Sequence, residues 1–274
     1  MPSAVLSELY IYPVKSLAGI KVSKWQVNEK GLLHDRKWML IDHNNHFLSQ
    51  RHIPKMALIK TQLTENSLIL STTTSGSVSL PLFPQNGEEI ITTIWNDQCP
   101  AKTVSSEVDI WLSDFLDTQC KLVYQADETV RPVDQNYATS TDKVYFSDGF
   151  PFLIISDASL KSLNKEMKIQ IPMLRFRPNL VISNCERYAE DSWREISINN
   201  IHFRLPKPCS RCTVPTINLE TAQTTKEPLQ TLNRLRKVNN HVYFGQNACH
   251  DNTGELYAGC NVIINKTGPK QPSL

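Results

Sequence analysis

The chain has 274 residues, of which 40% are hydrophobic and 20% charged, with a formal net charge of +2 at pH 7. That is enough for one large or two modest domains with a sizeable core, and too little net charge to mark a nucleic-acid-binding surface. Seven cysteines do not form an even, closely spaced secreted framework. No run approaches the roughly 18 apolar residues of a membrane span, and Met1-Pro-Ser-Ala4 leads into no basic-then-apolar targeting pattern, so a cytoplasmic protein with reduced thiols is expected.

The first hundred residues read as short strands: Leu6 to Val14, Lys21 to Val27, Lys37 to Asp42, Ala57 to Leu63, Ser67 to Thr72, Ser77 to Leu82 and Glu89 to Trp95. Thr64-Glu-Asn-Ser67 reads as a hairpin connection. Strands so closely spaced, with little helix between them, point to a barrel or a strongly curved sheet. The first helix runs from Ser105 to Leu116, with Val108, Trp111, Leu112 and Phe115 on one face. The polar stretch Ala126 to Asp142 separates this β-rich part, residues 1–125, from a mixed part, residues 126–274.

In the second part, strands are expected at Phe152 to Ser156, Asn179 to Ser183, Glu195 to Leu205 with a turn at Asn199-Asn200, and Val262 to Ile264. A helix capped by Asp157 runs through Leu160, Leu163 and Met167, and another lies at Pro228 to Leu235 with proline in its first turn. The tail from Gly268 to Leu274 reads as frayed. The fold class is therefore α+β, mostly β.

Several segments carry chemistry. Lys207-Pro-Cys-Ser-Arg-Cys212 reads as a basic, proline-containing turn that sets two thiols three positions apart with a guanidinium between them. Such a pair can present a soft sulfur to a metal or an electrophile. Tyr12-Pro-Val-Lys-Ser-Leu-Ala-Gly19 places Lys15 and Ser16 in a turn suited to an anion, or simply to a solvated lysine. Leu33-His-Asp-Arg-Lys-Trp38 sets Arg36 at the mouth of a strand. Arg175-Phe-Arg-Pro-Asn179 clusters Arg177 and Asn179 at another, where a bidentate donor and an amide can meet an anionic ligand. Phe146-Ser-Asp-Gly-Phe-Pro-Phe152 puts Ser147, Asp148 and Gly149 just before a strand. A structural zinc site from Cys209, Cys212, Cys249 and Cys260 is a further reading, although its second pair lacks close ligand spacing.

Taken in order, Tyr-Pro-Val-Lys-Ser, Asp-Arg-x-Trp, Ser-Asp-x-x-Pro-Phe, Phe-Arg-Pro-Asn, Tyr188-Ala-Glu-Asp-Ser-Trp193, Cys-Ser-Arg-Cys and Phe244-Gly-Gln246 resemble the MOSC family. The likeness is to the branch holding the mitochondrial amidoxime-reducing component and the bacterial YcbX-like proteins, and it runs from about Leu6 to Ile264. The resemblance implies a β-barrel-like N-terminal MOSC domain packed on a β-barrel MOSC domain with a few helices. A molybdenum cofactor (Mo-molybdopterin) lies between them, with Cys212 as the metal-bound thiolate. It further implies Lys15, Ser16, Arg36, Ser147, Arg177, Asn179, Ser210, Arg211 and Asn247 around the pterin and its phosphate. Asp148 is a candidate for proton handling or for structural hydrogen bonding.

The implied activity is reduction of small N-hydroxylated compounds (hydroxylamines, amidoximes, N-hydroxylated bases). Electrons would come from a separate flavoprotein reductase, ferredoxin or haem protein, because the cysteine-rich ferredoxin-like extension of the YcbX-type proteins is missing. A cofactor-binding or sulfur-carrier module without turnover is the alternative. The chain departs from the family pattern at Phe150, where relatives carry a hydroxyl, at Asn247, where they carry a tyrosine, and at Cys260, where an acidic residue is common.

Overall fold

The computed structural model describes residues 3–84 and 87–273. Strands dominate and three α-helices accompany them, as the α+β, mostly β reading expects. The largest sheet has nine strands. Its path runs Val262–Thr267, Trp193–Ile198, Ile201–Ser210, His241–His250, Phe152–Ser156, Leu180–Ser183, Val5–Ile11 and Ile20–Val22, and Lys237–Val238 pairs off the path with His241–His250.

One pairing in this path is parallel, Phe152–Ser156 beside Leu180–Ser183. Parallel neighbours need a long crossover, and here it carries the helix Asp157–Lys165. That helix is capped by Ser156 rather than the expected Asp157: the Ser156 hydroxyl accepts from the Ser159 amide at 3.1 Å. Asp157 instead occupies the first turn, where a carboxylate complements the helix dipole.

Three smaller sheets flank the large one. One joins Trp38–Ile41, Lys121–Tyr124, Asp97–Thr103 and Glu89–Ile94; another joins Lys60–Leu63, Ser67–Ser71 and Ser77–Pro81. The third sets Gly254–Tyr257 beside Lys24–Asn28 and Gly31–Leu32, tying a late segment to an early one. The helix Ser106–Leu116 turns Val108, Leu112 and Phe115 onto a core that includes Trp38, Leu40, Leu68 and Leu70. Burying each of those large side chains contributes about 1.5–3 kcal/mol.

The first strand belongs to the large sheet. Val5 faces Ser183 and Leu9 faces Leu180 in antiparallel register, so a segment from the first part of the sequence sits beside one from the second. It ends at Ile11, short of the expected Val14, because Pro13 cannot donate to a ladder. The expected strand from Ala57 begins only at Lys60, since Pro54–Leu58 form a 3₁₀ turn.

The strand expected to end at Leu205 continues to Ser210, so Lys207 to Ser210 lie on a strand end and not in a turn. Pro206 and Pro208 have no amide hydrogen, and the register with His241–His250 slips on either side of them. The strand His241–His250 also tolerates Gly245 at φ +82°, where a Cβ would collide with Ile155 and the Ile154 carbonyl. The C-terminal tail is docked: the Gly268 amide donates to Ser192 O, the Gln271 amide to Asp191 O, and the Gln246 side chain to Gln271 O. Leu274, the last residue of the segment read as frayed, lies outside the described residues. Among the described residues no helix is long and apolar enough to cross a membrane.

Candidate functional site

The loop after the first strand is pinned from both sides. Lys15 N donates to Trp38 O at 2.8 Å, and Trp38 N to Pro13 O at 3.1 Å. Gly19 leaves room for the Tyr12 ring, which a Cβ there would strike. The Tyr12 ring then lies against two guanidinium groups, that of Arg36 at 4.4 Å and that of Arg177 at 4.3 Å from its centre. Ser16, Arg36 and Arg177 all adopt left-handed backbone conformations (φ 67°, 53° and 56°) without being glycine. Each costs about 1–2 kcal/mol, and such positions gather at ligand sites.

The cations differ in what neutralises them. Arg36 pairs with Asp35, whose carboxylate also accepts from the Tyr12 amide at 2.7 Å, and donates to Asn179 Oδ1 at 3.0 Å. Burial raises the Asp35 pKa, an effect that Arg36 and these hydrogen bonds oppose. Asn179, 1% exposed, also donates to Tyr10 O and accepts from Leu153 N, so it holds Arg36 and the two adjoining strands in place.

Arg177 donates to Leu17 O at 2.6 Å while its second terminal nitrogen is buried without a partner. Burial brings its pKa down to about 10. Arg211 gives one nitrogen to Phe176 O and another to Cys209 Sγ at 3.0 Å, leaving its buried Nε without a partner.

Lys15 is 5% exposed and donates to Phe146 O at 2.8 Å and to Asp148. Burial pulls its pKa from 10.5 to about 8, although Asp148 opposes the shift. The Asp148 side chain is 55% exposed and bridges Lys15 and Arg51, the latter at 3.0 Å. What burial it has pushes its pKa up, but the two cations more than offset that and hold it well below the usual carboxylate range. Arg131 fixes the same loop from behind by donating to the carbonyls of Tyr145 and Ser147.

These residues meet in a cleft of about 160 Å³ whose walls include all eleven sequence-predicted positions: Lys15, Ser16, Arg36, Ser147, Asp148, Arg177, Asn179, Ser210, Arg211, Cys212 and Asn247. Phe150, where the family pattern has a hydroxyl, also lines it and packs edge-on against Tyr137. Besides apolar lining residues, two polar ones escape sequence reasoning, Gln50 and Arg51. Arg51 stacks 4.6 Å from the Trp95 ring and is held above its ordinary pKa: burial pulls it down, and Asp148 and a hydrogen bond and charge contact with Cys212 outweigh that. Arg211 thus meets the Cys209 thiol directly at 3.0 Å, and Arg51 shares the cleft wall with Cys212. No local motif around Ser49-Gln-Arg-His52 announces this, because Arg51 reaches the cysteine only through the fold.

The zinc reading does not survive. Cys249 is buried with Val133 and Val144, and Cys260 packs in the main core beside Leu256 and Val262. No group of three or more metal-ligating side chains forms among the described residues.

The donor set fits a molybdenum–pterin cofactor. Five cations (Lys15, Arg36, Arg51, Arg177, Arg211) line the cleft against the carboxylate of Asp148. Buried donors on Arg177 and Arg211 and a buried acceptor, Gln50 Oε1, have no protein partner. Such atoms suit a phosphate and a hydrogen-bonding pterin, and a cysteine sulfur suits a soft, sulfur-rich metal centre.

Comparison with known proteins agrees with the sequence motifs. Residues 3–119 match the MOSC N-terminal beta barrel domain and residues 141–263 the MOSC domain. Mouse mitochondrial amidoxime-reducing component 1 is 31% identical over 94% of this chain and 82% of its own length. Zebrafish molybdenum cofactor sulfurase is 33% identical over 95% of this chain, which spans only 34% of that larger protein. Among solved structures, the Bacillus subtilis YuaD protein covers 95% of this chain at 11% identity with a TM-score of 0.39, too loose to carry an argument. With both family domains matched along most of its length, the chain belongs to the MOSC family.

Proposed function

We propose that the chain holds a molybdenum cofactor in the Cys212 cleft and reduces N-hydroxylated small molecules with electrons from a separate redox protein. The observation that carries this reading is a cleft thiol, Cys212, inside a wall of five cations whose buried donors lack protein partners. A relative matched over most of both chains bears the name amidoxime-reducing component, which supplies the substrate class.

When bound, the cofactor supplies two-electron oxygen-atom chemistry. In the net reaction the N–O bond breaks, two electrons arrive from the donor protein, two protons are taken up, and the amine or amidine and one water leave. The chain's own residues bind and orient. Cys212 offers the metal its sulfur, and Arg51 steadies that sulfur. Arg177 aims an unpartnered donor at the anionic end of the cofactor, while Arg36, already matched by Asp35, mainly sets the position of Arg177 and Tyr12. Asp148 is held ionised, so it anchors Lys15 and Arg51 instead of donating a proton. Lys15 Nζ, at about 8, is the cleft group whose proton is held loosely near neutral pH.

The sulfurase relatives favour a second reading, a cofactor-holding module without turnover. Protein made in cells that synthesise molybdopterin should contain molybdenum and reduce benzamidoxime with a dye donor. Full molybdenum content with no reduction of any N-hydroxylated compound would select the module instead.

A further inference from the structure

Beside the cysteine cleft lies a larger one of about 790 Å³, and the two share Gln50, Arg51 and Arg211 as a common wall. Its far side is the segment Thr213 to Lys226 and the face of the helix Leu229–Leu235 that carries Gln230 and Asn233. We propose that this outer cleft binds an oxyanion carried by the N-hydroxylated substrate. The protein would then favour hydroxylated compounds bearing a carboxylate or phosphate over neutral ones. The inference rests on the reductase reading above and adds a substrate class to it.

Three observations support it. First, the charge has one sign: Arg51, Arg211 and Lys226 line the cleft and no carboxylate does. Among the described residues, neither Arg211 nor Lys226 has a carboxylate within ion-pair distance, and Arg211 reserves only a carbonyl and a thiol for itself. Second, a donor is left over at the shared wall: Arg211 Nε is buried and unpartnered, while the Gln50 side chain next to it is 1% exposed and fixed by its Nε2 on Ser16 O at 2.7 Å. Polar atoms left this way at a shared wall expect a ligand.

Third, the far wall is built in advance. Thr216 Oγ1 donates to Thr213 O at 2.6 Å, Thr225 N to Thr216 O at 3.0 Å, and Thr225 Oγ1 to Glu227 O at 2.9 Å. Arg175, 8% exposed, clasps the two ends of the segment by donating to Pro215 O at 2.6 Å and Glu227 O at 3.1 Å. These hydroxyls spend their hydrogens on the backbone and so make the wall rigid; the Gln230 and Asn233 amides beside the unmatched Arg211 and Lys226 are what would meet an anion that accepts hydrogen bonds. Because the two clefts share Gln50, Arg51 and Arg211 as a wall, an anion held in the outer one can belong to the same molecule as a reacting N–O group in the Cys212 cleft.

The oxyanion could come from the cofactor's own phosphate or from substrate, and the experiment separates them. Cofactor-loaded wild type and Lys226→Glu are assayed with benzamidoxime and 4-carboxybenzamidoxime, and molybdenum content is measured for both. The cofactor-free chains are titrated with 4-carboxybenzamidoxime by calorimetry. The expected result is a KM for the carboxylated compound about fivefold below that of the neutral one, the factor a solvent-exposed charge pair supplies. The ratio should shrink as salt is raised and collapse in Lys226→Glu, with molybdenum content unchanged. Asn233→Ala, which keeps the charge, should weaken calorimetric binding less. Equal KM values for the two compounds in wild type, or a loss of molybdenum in Lys226→Glu, would overturn the assignment. If wild type reduces neither compound, the reductase reading fails on its own. Calorimetric binding that Lys226→Glu weakens would still uphold the anion site, and no binding would end it.

Discussion

Lys15 is the residue whose replacement tests the electrostatics of the cleft most directly. It sits 5% exposed, with its pKa drawn from 10.5 to about 8 mainly by burial. Holding the charged form there costs about 3 kcal/mol at neutral pH. Lys15→Met keeps the apolar stem and deletes the charge. It also deprives Phe146 O of its donor and the Phe47 ring of a cation 5.1 Å away, which together return about 1.5 kcal/mol. The variant should therefore be more stable than wild type by about 1–2 kcal/mol at pH 7, or about 3–6 °C in Tm for a chain of this size.

The advantage must fade with pH. The unfolded chain binds the Lys15 proton more tightly than the folded one, so wild-type stability rises as pH climbs from about 8 to 10.5 and levels off only above that, where Lys15 is neutral in both states. By pH 9.5 about 2 kcal/mol of the burial cost is already relieved, and the variant's lead should be gone. Denaturant unfolding of the cofactor-free protein at pH 7 and 9.5 measures this, with molybdenum content of the loaded protein as the functional readout, expected to fall. A variant less stable than wild type at pH 7, or an equal advantage at both pH values, would refute the argument that Lys15 is kept for binding at the expense of stability.

Three other outcomes follow from the same geometry. Cys212→Ser should abolish reduction and change the molybdenum absorption spectrum, whereas Cys209→Ser, whose sulfur meets Arg211, should be milder; identical spectra and turnover in wild type and Cys212→Ser would remove Cys212 as the ligand. Arg177→Ala should lower molybdenum retention more than it alters preference among substrates, since its free nitrogen and left-handed backbone belong to the cleft floor; full retention with a new substrate profile would reverse the assignment. NADH or NADPH alone should drive no turnover, and a flavoprotein reductase or a dye should restore it; brisk turnover with nicotinamide alone would contradict a separate electron donor.

Much of this was legible in the sequence because local patterns and folded roles coincide. The alternation in Ser67–Ser71 and the spacing of Val108, Leu112 and Phe115 announce a strand and a helix that packing then uses as written. The strands Asp97–Thr103 and Lys121–Tyr124 are harder to see: one contains Pro100 and the other is four residues long. His241–His250 hides behind a left-handed glycine that reads as a break. Asp157 looks like the better cap, yet the Ser156 side chain lies where the Ser159 amide points. In the site, residues held in motifs are visible and those recruited across the fold are not. Arg51 reaches Cys212 across more than 150 positions of sequence, with Trp95 and Asp148 holding it from two further segments.

The pairing of the first strand with Leu180–Ser183 also constrains how the protein is made. A ribosome that has just released Val5–Ile11 must add about 170 more residues before the partner strand emerges, roughly 10–35 seconds at ordinary elongation rates. Until then the strand's edge towards that partner stays unpaired, and Asn179, which joins Arg36 to the strand end at Tyr10, has not been made. The cleft that gathers Lys15, Arg36, Arg177 and Asn179 is consequently among the last features to form during synthesis, and any ligand it is to hold has to wait for a nearly finished chain. Substitutions that slow the late segment or weaken its register with the first strand should thus lower the yield of loaded protein at birth, even where the mature fold withstands them.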